Sequence, residues 1–307
     1  MASCLCAPLR SRVALAALVL IPACENQQRK PEGVAARSTA PYGVDDFGDT
    51  IRVPARVTRI VSLNPTTTEI LFALGAGPRL VGRTHYDQWP DSALLVPDLG
   101  PGIRPNVEAV IAARPDLVLL YGSEDNRPAA RRLREAGIAT AGFKVDSIAE
   151  FDRLTRLLGR LVGDSARGAL VADTVLRTLD SVRTSMRGVR RVSVLIPTWN
   201  EPLIVIGGGS FMSELVSIAG GRNVYDSLPA PSPTVAFEDV LRRNPEFVLA
   251  GPEGAARIRT LAKWRALPAV REGRMLVFDT ARVLRPAVRL GEGAVSLARL
   301  LHPNETR

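Results

Sequence analysis

Few residues of this chain can do covalent or metal chemistry, and their spacing decides which kinds. There are three cysteines, Cys4, Cys6 and Cys24, and none beyond Cys24. The long remainder therefore has neither a disulfide framework nor a cysteine-built metal site. Two histidines, His85 and His302, are too few for the usual histidine-rich zinc site. A serine–histidine–acid triad would have to use His85, because His302 stands five residues from the end. No G-x-S-x-G elbow occurs, and GGGS at 207–210 lacks the flanking glycine. Phosphate-loop, zinc and dinucleotide fingerprints are also absent. Arg282, Arg285 and Arg289 fall together in DTARVLRPAVR. A bidentate guanidinium suits phosphate, carboxylate or an acidic siderophore, although arginines so spaced can equally form a solvated face. His85 offers an imidazole as an axial ligand to cobalt or iron, against a plain exposed hydrogen-bonding role.

The chain that must position these groups has 307 residues, 46% hydrophobic and 23% charged. That is enough for two lobes. Only 5% of residues are aromatic, and the mean hydropathy is +0.08, which excludes both a disordered chain and a polytopic membrane protein. Residues 1–24 read MASCLCAPLRSRVALAALVLIPAC: Arg10 and Arg12, an apolar run from Val13 to Ile21, and Ala23 before Cys24. This is the grammar of a secretory signal, with an apolar run too short to span a bilayer. IPAC resembles the lipobox of bacterial lipoproteins, which implies cleavage before Cys24 and lipidation of its thiol; Pro22 is a less usual occupant of its place. Residues 24–43 read as a polar, lipidated tether. Removing residues 1–23 takes away Arg10 and Arg12 and no acid, so the net charge falls from +9 to +7. Of the basic residues only Lys30, Lys144 and Lys263 are lysine, and they are scattered. Nucleic acid is a poor partner for such an exported surface.

From Asp45 the pattern is strand–helix–strand. DDFGDTIRVP reads as a small hairpin turning at Gly48 and Asp49, and RIVSL (59–63) as a buried strand. TTTEILFALGAG then reads as a helix with Thr66–Thr68 as capping candidates and Gly75 and Gly77 as its stop. VEAVIAARPDLVLL (107–120) and FEDVLRRNPEFVLA (237–250) share one pattern at an offset of 130 residues, and RIVSLNP (59–65) pairs with RVSVLIP (191–197). Two lobes of similar plan are implied. Between them, Ser147 to Met186 has helical spacing broken at Gly163-Asp164, a stiff two-helix spine with a cleft beside it. The expected fold class is α/β: two Rossmann-like lobes with central sheets, 44–145 and 188–307, bridged by linking helices at 146–187.

Four segments in this order, RIVSLNPTTTEILFALGAGPRLVGRTHYDQWP, NVEAVIAARPDLVLLYG, SFMSELVSIAGGRNVY and FEDVLRRNPEFVLAG, resemble the vitamin B12 and iron-complex group of periplasmic substrate-binding proteins. The resemblance covers about residues 44–302. It implies a monomer that holds its ligand between the lobes, moves little on binding and delivers the ligand to the membrane subunits of an ABC importer. It places ligand contacts at Tyr86, near Gly102 and at Tyr121 in the first half. In the second half it places them at Trp199, facing the cleft, at Ser232 with Pro233, and at Arg285. Corrinoid binders often carry an aromatic where this chain has Gly102. Glu108 and Glu238 match the acids, one per lobe, that meet arginines of the transporter; both also suit the first turn of a helix, where the dipole favours an acid. Glu69 and Glu214 read as capping or surface groups. The chain needs no cofactor of its own, because the ligand is the metal complex. HYDQWP resembles the tyrosine-containing segment of cobalamin binders, which makes a corrinoid the first expectation. A ferric siderophore suits the arginines nearly as well, haem could use Tyr86 or Tyr121 as an iron ligand, and a lipid-anchored hydrolase or a scaffold is the alternative from another class.

Overall fold

A computed structural model describes residues 41–305. The signal, Cys24 and nearly all of the tether lie outside the described residues. The chain enters through a tight turn in which Val44 bridges Thr50 in antiparallel fashion. The Asp45 carboxylate holds that turn closed by accepting the N–H groups of Phe47, Asp49 and Gly142. Ile51 and Val53, the alternating apolar residues after it, are buried.

The first lobe runs β1 (Ile60–Leu63), α1 (Pro65–Ala73), β2 (Leu80–Gly82), α2 (Val107–Ala112), β3 (Leu117–Tyr121), α3 (Arg127–Glu135) and β4 (Ala139–Phe143). Its strands are all parallel, in the order β2-β1-β3-β4. Sheets covered by helices on both faces need strands apolar on both sides. All four residues of β1 are buried, as are the first four of β3. The helix after β1 is capped differently from the sequence expectation. Asn64 is the N-cap, accepting the Thr66 N–H, and Pro65 occupies the first turn. Thr66–Thr68 lie inside the helix and are buried, with the Thr67 and Thr68 hydroxyls bonded to Ser62. A run of three threonines is an ambiguous cap signal because Asn-Pro before it supplies both cap and first turn.

After α4 (Ile148–Leu161) and α5 (Ser165–Ser185), the second lobe repeats the plan. It has β5 (Val192–Leu195), a hairpin of β6 (Pro197–Asn200) and β7 (Leu203–Val205), α6 (Phe211–Ile218) and β8 (Gly221–Asn223). Next come α7 (Phe237–Arg243), β9 (Phe247–Ala250), α8 (Pro252–Thr260), α9 (Pro268–Arg271) and β10 (Met275–Val277). The sheet order β8-β5-β9-β10, again all parallel, is that of the first lobe element for element. The β6–β7 hairpin is the insertion that distinguishes the halves. The chain ends with α10 (Thr280–Val283) and α11 (Leu290–Leu301).

The two linking helices begin where the sequence places them. Ser147 caps α4 through a complete capping box with Glu150, and Asp164 caps α5. One apolar core runs from Ile60, Leu117 and Phe143 through Leu154, Leu158 and Leu179 to Val194, Leu249 and Leu297, so both sheets and the spine share it. Two smaller clusters cover the outer faces, one around Val118 and Leu133 and one around Val248 and Trp264. The spine helices meet backbone to backbone at Gly159 and Gly168. A Cβ on Gly159 would stand 2.7 Å from the Gly168 Cα. Gly159→Ala would gain about 1 kcal/mol of helix propensity, but it forces a backbone shift in a packed core that costs ~1–3 kcal/mol. The expected outcome is a lower melting temperature in a thermal scan; an unchanged or raised one would show the crossing to be slack.

Candidate functional site

In a parallel α/β sheet the strand ends point their following loops to one edge, and ligands bind there. Both lobes follow that rule. In the first, Leu63 and Pro65 after β1, Thr84 and Tyr86 after β2, Gly102 and Ile103, and Tyr121 at the end of β3 line a cavity of about 250 Å³. In the second, Ile196, Pro197 and Thr198 after β5, the Gly251–Gly254 turn after β9, and Phe278, Thr280 and Leu284 after β10 line one of about 430 Å³, with Met212 of α6. Among the residues lining these two cavities, Glu253 alone carries a charge.

Tyr86, Gly102 and Tyr121 therefore come together as expected from sequence. Gly102 is there because the wall is thin: a Cβ would lie 2.5 Å from the Leu63 carbonyl oxygen. Asn126, fully buried, ties this wall by donating to the Gly102 and Tyr121 carbonyls while accepting the Arg104 N–H. Tyr86 is 57% exposed and its ring lies against His85, also exposed, with centroids 4.0 Å apart and planes tilted by 53°. Burial pushes the Tyr121 phenol above its ordinary value, and Asp146 pushes it further against Lys144. Tyr121 is thus a neutral hydroxyl at physiological pH.

Two of the expected contacts stand outside these cavities, and one expected surface group is buried. Trp199 does not line the second cavity; its neighbour Thr198 does. The indole is half exposed, donates Nε1–H to the Glu201 carbonyl and lies 5.7 Å beneath the Arg257 guanidinium. Ser232 lines neither cavity. It is exposed in the loop whose Thr234 bridges Ile204 of the hairpin, so Trp199 and Ser232 share a rim. Gly207–Gly209 pack against the preceding part of that loop so closely that a Cβ on any of them would meet a backbone oxygen at 1.9–2.1 Å. GGGS is therefore a packing element with Ser210 as the cap of α6.

The surface reading of Glu69 is corrected, and with it the setting of Arg285 becomes clear. Glu69 is no surface group: it is 1% exposed on α1. Arg285 reaches it from the second lobe, with Nη1 3.4 Å from Oε1, while Nη2 donates to the Tyr86 carbonyl at 2.6 Å. Arg289 lies over the Trp89 ring at 5.2 Å. Asp87 is buried beside them and accepts the Thr84 N–H and hydroxyl. Burial lifts both acids; Glu69 rises to about 7 despite the opposing pull of Arg285 and Arg289, and Asp87 rises against the Thr68 and Thr84 hydroxyls. Arg282 pairs with Asp279 and Glu292 away from this contact. Glu214 is half-buried, accepts the Ile148 N–H at the start of the spine and is likewise lifted by burial. His302 is buried at the end of α11 against the Gly220 carbonyl, far from a catalytic arrangement with His85.

Glu108 and Glu238 stand exposed in the first turns of α2 and α7, equivalent helices of the two lobes. Glu108 pairs with Arg132 at 2.9 Å, both side chains well exposed. The second cavity's 251–254 turn was not among the sequence candidates, yet the repeat held the signal. The 130-residue offset carries Tyr121 onto Gly251, as the strand pairing carries Pro65 onto Pro197. Among the described residues no group of three or more His, Cys, Asp or Glu is arranged to hold a metal ion, and no helix is long and apolar enough to cross a membrane.

A family model described as periplasmic binding protein matches residues 60–281. The vitamin B12-binding protein of Vibrio parahaemolyticus is 24% identical over 234 residues, 76% of this chain and 85% of that protein. An uncharacterised ABC transporter substrate-binding lipoprotein of Bacillus subtilis is 26% identical over 305 residues, 94% of this chain and 95% of the relative. Among solved structures, the periplasmic haem-binding protein of Roseiflexus in its apo form superposes with a TM-score of 0.73 at 23% identity, covering 82% of this chain and 100% of that one.

The buried acids make stability depend on pH. Glu69 binds its proton more tightly folded than unfolded, so its contribution is complete below about pH 4.5 and is lost as pH rises through about 7. Glu69→Gln should remove that slope, worth roughly 3 kcal/mol, so wild type and variant should diverge in denaturant titrations between pH 5 and 7. Parallel curves would show that Glu69 does not titrate in this window.

Proposed function

Because the chain belongs to the periplasmic binding protein family, and is a solute-binding protein and not an enzyme, we propose that it captures a corrinoid between its lobes and delivers it to an ABC importer. The observation that carries this reading is the character of the two cavity walls. The first is built of Leu63, Pro65, Ile103 and the faces of Tyr86 and Tyr121 and carries no charge; the second carries only Glu253. Flat apolar surface with a few hydroxyl and backbone donors suits a large, amide-rich, neutral macrocycle. An acidic siderophore, or the propionates of haem, would want cations at the wall, and the nearby Arg285 is committed to Glu69 and Tyr86. Iron ligation by Tyr121 would have to displace the proton that burial helps its phenol to keep. Tyr86 and Tyr121 are the proposed face contacts, with Trp199 and Ser232 on the rim as contacts for the ligand's periphery. Vitamin B12 is what the Vibrio relative is named for, and haem what the Roseiflexus protein is named for; haem is the second reading.

The exposed acids Glu108 and Glu238 are the proposed docking points. Two equivalent negative positions, one on each lobe, fit a pseudo-twofold pair of transporter subunits. The Glu108–Arg132 pair is no obstacle, since exposed ion pairs are worth only about 0–1 kcal/mol. Lipidation of Cys24 would hold the protein at the membrane, where a monomer with one tether could reach its importer.

Absorbance and calorimetric titration with cyanocobalamin, haemin and ferrichrome tests the ligand. Cyanocobalamin should bind, and Tyr86→Ala and Tyr121→Ala should each weaken it about tenfold, the loss of one aromatic contact of ~1.4 kcal/mol. Tight haemin binding with a tyrosinate–iron spectrum would overturn the corrinoid reading. Reversing Glu108 and Glu238 to lysine should abolish uptake by cells while leaving ligand affinity unchanged; a fall in affinity would place these acids at the ligand.

A further inference from the structure

The segment from Arg83 to Pro90 belongs to the first lobe, where the Arg83 and His85 backbone is bonded to Pro97, Leu99 and Gly100, yet its middle also receives contacts from the second. Arg285 bonds the Tyr86 carbonyl, and Arg289 covers the Trp89 ring. Inside the first lobe the same segment is closed on itself. Asp87 accepts the N–H and hydroxyl of Thr84, the Tyr86 N–H donates to the Thr84 hydroxyl at 3.2 Å, and the Asp87 N–H donates to the Thr84 carbonyl at 3.1 Å. This leaves the Tyr86 carbonyl facing across the cleft and the Tyr86 ring against the first cavity. Glu69 is the buried acceptor on which the Arg285 guanidinium rests. A carboxylate so buried is costly to ionise unless a guanidinium reaches it, and no residue of its own lobe supplies one: Arg285 and Arg289 are the cations acting on it.

We infer that Arg285 is a positioning residue: anchored on Glu69, it holds the Tyr86 segment by its backbone, setting from one lobe the ligand contact that the other lobe presents. The inference rests on the proposed ligand role of Tyr86 and adds how that role is set. It also separates Arg285 from a direct ligand donor. Both amino groups of its guanidinium are engaged by protein, so replacing it should act on the ligand only through Tyr86.

Hydrogen exchange of the apo protein reads this without any ligand. In Arg285→Ala the amides of Tyr86 and Asp87 should exchange about tenfold faster, because local opening of the segment loses its cross-lobe restraint, while those of β3 keep the wild-type rate. Arg285→Lys, which can satisfy one partner but not both, and Glu69→Gln, which keeps shape without charge, should give smaller increases. These two variants decide the matter if Arg285→Ala does not fold. Unchanged exchange across 83–90 in every variant overturns the inference, as does an equal increase throughout the chain. A second arm uses cyanocobalamin: Arg285→Ala should weaken binding about tenfold in the wild-type background and leave it unchanged in Tyr86→Ala, because two residues acting through one contact are not additive. Additive losses would make Arg285 a ligand contact and overturn it. Failure of the unaltered protein to bind cyanocobalamin would sink the corrinoid reading alone, and the exchange rates would still decide.

Discussion

Neither sheet of this protein can bury itself. Each has four short parallel strands, and a parallel sheet needs helices on both faces. The outer faces are covered locally, but the inner faces look onto one shared core, in which α1 and α6 pack with the α4–α5 pair and α11 returns alongside α5. That sharing is the constraint from which the rest follows. It makes the spine part of both lobes' cores, so the Gly159–Gly168 crossing must be close enough for one helical layer to serve two sheets. It also aims the loop-bearing edges of both sheets toward a common region, where the two cavities flank the bridge between Leu284–Arg285 and Tyr86.

A lobe pair joined through its core cannot swing as freely as one joined by open crossovers, because separating the lobes would expose packed apolar surface. The polar contacts across the cleft therefore do not have to hold the lobes together. They can work on small distances: which way a carbonyl points, where a tyrosine ring rests. The acids and arginines of the seam suit that scale. Glu69 and Asp87 are both buried in the first lobe; Glu69 is answered by Arg285 and Arg289 of the second, Asp87 first by Thr68 and Thr84 of its own.

What could be read from the sequence and what could not divide along the same line. Local patterns carried the spine boundaries, since Ser147 with Glu150 and Gly163-Asp164 are signals contained within a few residues. The 130-residue repeat carried the lobe plan, down to matching sheet orders. Tyr86 and Tyr121 follow strand ends and were placed correctly in one cavity. Trp199 lies one residue past the lining of the second cavity, where strand pairing in the inserted hairpin is irregular and the repeat offers no counterpart to align. Glu69 was misread for a different reason. In isolation an acid on a helix is a surface group, and the residue that makes its burial tolerable is 216 positions away. No periodicity reports a charge pair at that separation.

The same division bears on ligand selection. A cluster of arginines near the C-terminus reads as a site for an anion, and in a cleft of free arginines that reading would stand. Here each of the three is committed: Arg282 to Asp279 and Glu292, Arg285 to Glu69 and Tyr86, Arg289 to Trp89 and Glu292. An anionic ligand would have to take Arg285 from both Glu69 and the Tyr86 carbonyl, giving up two protein hydrogen bonds. The arginines are thus occupied within the protein, and the two cavities beside them are lined without a cation. Selection by such walls works through shape and rejection of negative charge more than through attraction.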